Sequence, residues 1–451
     1  MQRPERERAE SAARQEAAQL TALGVQAVAL TWVDNAGITR VKAVPTARLA
    51  HAARWGVGMS PVFDVYLTDD SSVTSPYTGG PDGDLRLFPD LGRLTVLAAQ
   101  RGWAWAPADR FEQDGRPYAG CQRRFARRMA ARAAERGLRL RMGFETEWVV
   151  ARRDGPGPGG PPGAGPAYGM ARLVELSDYL RDVLDALTAQ RVEVLQLHPE
   201  YTPGQFEVSV APADPVGAAD LAVLVRETVR AVSHAHGLDA LFGPVVAPDT
   251  VGNGAHLHLS LLRGERNLCR GGDGPCGMTA ECAAFLAGVL RELPALLALG
   301  APSPASHLRL RPSRWAGAYA CWGPENREAA LRFIPGPPDS EDQANAEVKC
   351  FDGAANPYLV TGAVLAAGLA GIGAGAELPP PVAGDPAHGE GHERLPESPT
   401  AALDRFTRSD VLREALGDPL FEAVAAVRRG EIERYEGATA EELADATRGR
   451  Y

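Results

Sequence analysis

Gly143-Phe144-Glu145-Thr146-Glu147-Trp148-Val149-Val150 is the stretch whose reading decides the fold. It is rich in aromatic and β-branched residues and alternates, which predicts a buried strand. Side chains two apart on a strand share a face, so Glu145 and Glu147 project together from an otherwise apolar element. Two like charges held that close are costly unless cations neutralise them. Hard divalent ions such as Mg²⁺ take carboxylate oxygens, so the strand is expected to begin a metal-and-phosphate site. Taken alone, Glu-x-Glu is better read as an edge strand with two solvated glutamates, so partners must come from other segments.

Four later stretches supply them. In His198-Pro199-Glu200-Tyr201-Thr202-Pro203-Gly204-Gln205-Phe206-Glu207-Val208 a Pro-Gly turn separates two carboxylates, the second on a strand. In Val251-Gly252-Asn253-Gly254-Ala255-His256-Leu257-His258-Leu259-Ser260, two imidazoles share a strand face after glycines that let backbone approach a ligand. Arg309-Leu310-Arg311-Pro312-Ser313-Arg314-Trp315 and Asn326-Arg327-Glu328-Ala329-Ala330-Leu331-Arg332 set arginines among apolar residues. Buried guanidinium groups need anions, and their fork suits carboxylate or phosphate; a structural ion-pair network is the competing reading. Ala346-Glu347-Val348-Lys349 adds a strand with an acid at its start, and Asn356-Pro357-Tyr358 caps a small-residue helix.

With 451 residues the chain can bury a large core and hold two or more domains. A net charge of −10 argues against nucleic acid as a partner. No apolar run of the sequence suggests a membrane span, and the charged first twenty residues lack the apolar core of a signal peptide. Cys121, Cys269, Cys276, Cys282, Cys321 and Cys350 form no Cys-x-x-Cys pair, so a zinc site or disulfide framework is not expected and a reducing cytoplasm fits.

Read in order, the chain predicts an N-terminal helix (1–20), then a small β-rich domain (21–106) and a large domain (107–451). Residues 25–33 and 39–44 form a hairpin around Asp34-Asn35-Ala36-Gly37. Phe63-Asp64-Val65-Tyr66 and residues 84–87 and 93–97 read as strands. Residues 122–136, 173–191, 220–236, 279–299, 404–416 and 418–435 read as helices, with Pro294 kinking or ending the fourth. The Gly/Pro run 152–167 is expected to be a mobile excursion.

Together the five motifs resemble the glutamine synthetase superfamily, in the expected order and most strongly from Gly143 to Gly371. The resemblance implies an α+β fold: a small N-terminal β-grasp domain and a larger catalytic domain with a curved antiparallel sheet flanked by helices. It implies ATP and two or more Mg²⁺ or Mn²⁺ ions per site. Glu147, Glu200 and Glu207 would hold one ion, and Glu145, His256 and Glu347 the second. His258 and Ser260 would lie near the nucleotide. Arg327 and Arg332 would face the transferring phosphate, and Arg309 and Gly252 the glutamate. Asp64 would match an acid lent to the neighbouring subunit's ammonium pocket. The assembly implied is a homo-oligomeric ring, usually a double hexamer (dodecamer), in the cytoplasm.

The chain departs from the ammonia-using pattern at four places. Trp315 stands where a flap acid takes a proton from ammonium; it cannot accept one and would give the amine pocket an apolar wall. Val251 replaces the Asn that helps grip glutamate. Lys349 replaces an Arg, a point charge for a fork, and Asn345 replaces an Arg that meets the nucleotide. The tyrosine used for adenylylation is absent, with Glu393 near its place. These features imply an ATP-dependent ligase making a γ-glutamyl amide from glutamate, or a related acid, and an organic amine. True glutamine synthetase activity and a catalytically silent homologue are the alternatives. Nucleic acid and membrane are not expected partners.

Overall fold

The computed structural model describes residues 3–155, 161–389 and 391–451. Residues 156–160 of the run expected to be mobile, and Met1 and Gln2 of the first helix, lie outside the described residues.

The first sheet holds β1 (Ala27–Val33), β2 (Thr39–Pro45), β3 (Val57–Met59), β4 (Leu85–Pro89), β5 (Thr95–Val96) and β6 (Trp103–Phe111). Their lateral order is β2-β1-β6-β4-β3, with β5 on β6. β1 and β6 run parallel and the other pairs antiparallel. Val28, Leu30, Leu87 and Ala104 meet Ala13, Leu20, Leu49 and Ala53 in one core, so the helices Arg3–Ala22 and Leu49–Trp55 cover this sheet. β6 crosses the boundary drawn at residue 106, and the sheet reaches Phe111. The strand expected at 63–66 is instead part of a 3₁₀ turn, Pro61–Val65. Ser60 Oγ accepts from Val62 N and Pro61 opens the turn, a local start signal that outweighs the β-branched composition.

The second sheet holds β7 (Arg139–Arg152), β8 (Val194–Pro199), β9 (Gln205–Val210), β10 (Leu238–Leu241), β11 (Leu257–Arg263), β12 (Arg266–Asn267), β13 (Tyr319–Pro324), β14 (Ala329–Ile334) and β15 (Asn345–Val348). The order is β13-β14-β15-β11-β7-β9-β8, with β10 on β7 and β12 on β11. All pairs are antiparallel except β13 with β14. Phe144, Leu257, Leu259, Leu331, Phe333, Ala346 and Val348 bury one face against Phe125, Phe285, Leu359 and Val364. Those last four sit on the helices Gln122–Glu135, Ala280–Gly300 and Pro357–Ala374.

Two of these helices, Ala280–Gly300 and Pro357–Ala374, are long and apolar enough by composition to cross a membrane. Here they are core. They cross so closely that a Cβ on Gly288 would lie 2.3 Å from Ala367 O, and one on Gly371 would lie 2.3 Å from Ala284 O. The first continues through Pro294, which does not end it. The β1–β2 turn is docked on the second sheet's domain. Asn356 Nδ2 donates to Val33 O and Asp34 O, both at 3.0 Å, while its Oδ1 caps the last apolar helix by accepting from Tyr358 N and Leu359 N.

Candidate active site

Alternation along five strands builds the site. On β7, Phe144 and Trp148 are core residues, and Glu145 and Glu147 turn the other way, as the two-residue period requires. On β11, Leu257, Leu259 and Leu261 are core, leaving His256, just before the strand, with His258 and Ser260 on the opposite face. On β9, Phe206, Val208 and Val210 are core, leaving Gln205, Glu207 and Ser209. On β14 and β15 the same rule leaves Arg332 and Glu347. Glu145, Glu147, Glu200, Glu207, His256, Arg309, Arg332 and Glu347 all line one cavity of about 570 Å³. Residues from β8 at one end of the sheet and β14 near the other line it together, so the sheet curves around it.

Register aligns these side chains in two lateral rows. Arg332 pairs Glu347, Glu347 pairs His258, and His258 pairs Gly143. Glu147 pairs Glu207, and Glu207 pairs His198. Glu145 lies between the rows on β7. His256 Nδ1 is 2.9 Å from Glu145 Oε2 and 3.2 Å from Glu347 Oε1, and His258 Nε2 is 3.1 Å from Glu145 Oε1. In the other row, His198 contacts Glu200 Oε1 and Glu207 Oε1, each at 3.3 Å.

The crowding shifts proton affinities in opposite directions. Burial works to raise the Glu145 carboxyl, but hydrogen bonds from His256 and His258 prevail and hold it well below the usual carboxylate range. Burial opposes ionisation of Glu347 too, yet Lys349 and the imidazoles bring it well below its ordinary value. Glu200 moves up to about 7, through burial and then the nearby Glu147. Glu207 is also raised, by burial first. His198 rises to about 9 because Glu207 hydrogen-bonds it, against burial. His258 reaches about 9 as well; burial opposes this and Glu145 and Glu347 overcome it.

Such a set fits divalent ions. Ligand atoms of Glu145, His258 and Glu347 lie within 4.8 Å of one another, as do those of His198, Glu200 and Glu207, and the donors are mostly hard oxygens. A Cβ on Gly254 would lie 2.4 Å from His256 Nε2 and 2.7 Å from Glu147 Oε1, so a side chain there would displace both groups. Gln205 Nε2 donates to Glu147 Oε2 at 2.9 Å and fixes that carboxylate's orientation.

The cationic groups stand opposite. Arg332 donates to Glu347 Oε2 at 3.1 Å and to Glu325 Oε2 at 2.5 Å. Lys349 Nζ donates to Glu347 Oε1 at 3.1 Å. Arg309 donates through Nη2 to Lys349 O at 3.2 Å, and its Nη1 is buried without a hydrogen-bond partner. Gly252 lines the cavity, and a Cβ there would lie 2.1 Å from Pro244 O and 3.0 Å from Arg309 Cγ; its smallness admits the Pro244 carbonyl and the arginine stem. Arg327 and Trp315 are exposed on the wall.

Three expected residues lie off the cavity lining. His258 Nδ1 meets Asn345 Oδ1 at 2.9 Å, and Ser260 donates to Ala344 O at 2.9 Å, both just beyond the carboxylates along β11. Asp64 is a correction. Its side chain is 1% exposed and paired with Arg110 at 2.7 Å, with Tyr118 and Gln122 also donating to it. A carboxylate so enclosed in its own subunit cannot project into a neighbour's pocket, and Asp64 is a structural residue.

Sequence reading overlooked His198, Tyr168 and Tyr201. His198 stands two residues before Glu200, the same spacing that singled out Glu145 and Glu147. Tyr168 donates to both oxygens of Glu200 at 2.8 Å, from the end of a Gly/Pro run with no periodic signal.

The family described as the glutamine synthetase catalytic domain matches residues 119–444. The chain belongs to the glutamine synthetase family. It is 56% identical to the γ-glutamylpolyamine synthetase of Streptomyces coelicolor, over 96% of this chain and 95% of that one. A solved structure described as a novel glutamine synthase homologue superposes with a TM-score of 0.86 at 33% identity, covering 95% of this chain and 99% of that chain. GmaS in complex with ADP superposes with a TM-score of 0.83 at 28% identity, covering 94% and 96%. The β-grasp unit and the curved catalytic sheet are those of this family.

Proposed function

We propose that this chain is an ATP-dependent ligase that joins the γ-carboxyl group of glutamate to an organic amine, with extended polyamines the favoured class. The observation that carries the reading is the single cavity in which five glutamates and two imidazoles face Arg309, Arg327, Arg332 and Lys349. The polyamine preference draws on the 56% identical relative of that name.

A carboxylate is a poor electrophile, and transfer of the γ-phosphoryl group of ATP to it supplies a leaving group; the amine then displaces phosphate. Glu147, Glu200 and Glu207, with His198 beside them, would hold one divalent ion, and Glu145, Glu347 and an imidazole the other. Such ions supply charge neutralisation at the phosphoryl oxygens. Arg332 and Arg327 add fixed positive charge where the phosphoryl group develops negative charge. The free Nη1 of Arg309 and the Lys349 ammonium suit a substrate carboxylate. Trp315 sits on the wall without a carboxylate at its tip, which favours an organic amine over ammonium. A neighbouring subunit's N-terminal domain would close the funnel in a ring-shaped oligomer, and the six free cysteines suit a reducing cytoplasm.

The test is a panel of amines with glutamate, ATP and Mg²⁺ or Mn²⁺, read by phosphate release and product mass. The expected result is γ-glutamyl amide formation fastest with diamines and polyamines. Efficient use of ammonium alone would return the chain to glutamine synthesis, and absence of any nucleotide turnover would make it a silent homologue.

A further inference from the structure

We propose that Tyr201 and Trp315, with Tyr168 beside them, form an aromatic box for the remote cationic nitrogen of the amine substrate. The inference rests on the ligase reading above and assigns the part of the cavity that holds the substrate's far end.

All three rings line the same cavity as the carboxylates. They are 51% (Tyr168), 38% (Tyr201) and 49% (Trp315) exposed, although burying such rings is the ordinary course. Tyr201 meets Tyr168 at 5.3 Å and 90°, and Trp315 at 5.7 Å and 81°. Each edge-to-face contact covers one face of one ring, and Tyr168 also lies against His198 at 5.6 Å and 30°, so it is the exposure of Tyr201 and Trp315 that offers π surface to the cavity. Arginines lie over Tyr66, Tyr118, Phe242 and Tyr435. Among the described residues none lies over Tyr168, Tyr201 or Trp315. Arg311, on the same wall, is tied to Asp249 at 2.7 Å.

The Trp315 ring is also deliberately displayed. Ser313 and Trp315 have φ of +55° and +56°, a left-handed conformation costly for a bulky side chain. Glu328, 6% exposed, accepts from Trp315 N at 2.7 Å, and Ser313 Oγ donates to Asp385 Oδ2 at 2.7 Å. These contacts hold a strained loop whose effect is to aim an indole into the cavity. Open π faces attract ammonium groups, most strongly when water is excluded. One end of the row is joined to the carboxylates through the Tyr168–Glu200 hydrogen bonds. An aliphatic diamine or triamine therefore fits the row, its reacting nitrogen at the carboxylate end and its second ammonium over the rings. Glu328 is a positioning residue, acting through Trp315.

The experiment compares KM for putrescine with KM for butylamine, which has the same chain without the second charge, at saturating glutamate and ATP. Wild type should favour putrescine, and Trp315→Leu and Tyr201→Leu should each raise its KM on the order of tenfold. Both should erase the discrimination while KM for glutamate and ATP stays put. Trp315→Phe should keep most of it. Glu328→Ala should behave as Trp315→Leu, and Glu328→Gln, which retains an acceptor oxygen, should rescue. Equal losses for both amines, or no loss for either, would overturn the box. Calorimetric titration of spermidine into wild type and Tyr201→Leu reads the box without turnover. Binding lost in the variant supports it even if no amide forms, which would sink only the ligase reading. Amide formation with unchanged discrimination in the variants would sink only the box.

Discussion

Two of the clusters of buried charge among the described residues are built on opposite principles. Around Arg110 and Arg123 every acid faces a guanidinium group. Asp64 pairs with Arg110 at 2.7 Å, and Arg123 reaches Asp90, Asp109 and Asp220 at 2.7, 3.1 and 2.8 Å. Burial alone would lower the pKa of both arginines, but their acids raise it. In the cavity, Glu145, Glu147, Glu200 and Glu207 find mainly imidazoles and one another, so burial and mutual repulsion push Glu200 up to about 7. A paired cluster is complete within the chain. A cluster whose acids face one another and titratable imidazoles can exchange those protons for divalent cations. Burial of ionisable groups therefore identifies a site only once the kind of partner each acid faces is known.

The contrast can be broken first by removing one partner from the paired cluster. Arg110→Met leaves Asp64 buried without its counter-charge and is expected to cost ~3–5 kcal/mol in urea unfolding. A cost below ~1 kcal/mol would show that the pair is no structural anchor. The opposite change belongs in the cavity. Glu147→Ala should lower amide formation by ~10²–10³-fold while leaving the metal-free melting temperature unchanged or higher, because it relieves repulsion. Calorimetry of the variant beside its kinetics checks both halves, and destabilisation matching that of Arg110→Met would erase the distinction.

The same contrast shows what the sequence made legible. Glu145, Glu147, His258 and Glu347 lie on strands, with His256 just before one, and the two-residue period declares which face they share; all but His258 line the cavity. The resemblance assigned Asp64 to a neighbouring subunit's pocket; its partner Arg110 is 46 residues away, and only the fold joins them. The turn at Pro61–Val65 likewise follows from a Ser60 cap that competes with strand composition. Tyr168 and Tyr201 carry no periodic signal; only the fold sets Tyr201 between Tyr168 and Trp315.

Two smaller effects sharpen the account. Mg²⁺ at a hundred times its dissociation constant should stabilise the protein by ~2.7 kcal/mol per site, seen as a melting shift that EDTA reverses. The shift should be absent in Glu147→Ala for the ion that residue holds, and a full shift there would contradict the assignment. His307 tests burial without a charge partner. Its Nδ1 faces Pro396 O at 3.1 Å, and burial lowers its pKa to about 4. The unfolded chain takes up a proton below pH ~6.5 while the folded chain does not. Stability is therefore full above that pH and falls as pH drops through 4, by ~1–3 kcal/mol. His307→Gln should flatten that part of the profile; an unchanged slope would remove His307 from it.

The central claim is that the clustered acids of the cavity are ligands for more than one cation. Titration of Mn²⁺ into the metal-free protein, followed by the loss of the free-ion electron paramagnetic resonance signal, counts them directly. Two tight sites per chain are expected, with Glu207→Gln and Glu347→Gln each weakening a different one. A single site, none, or two sites indifferent to both substitutions would contradict the account.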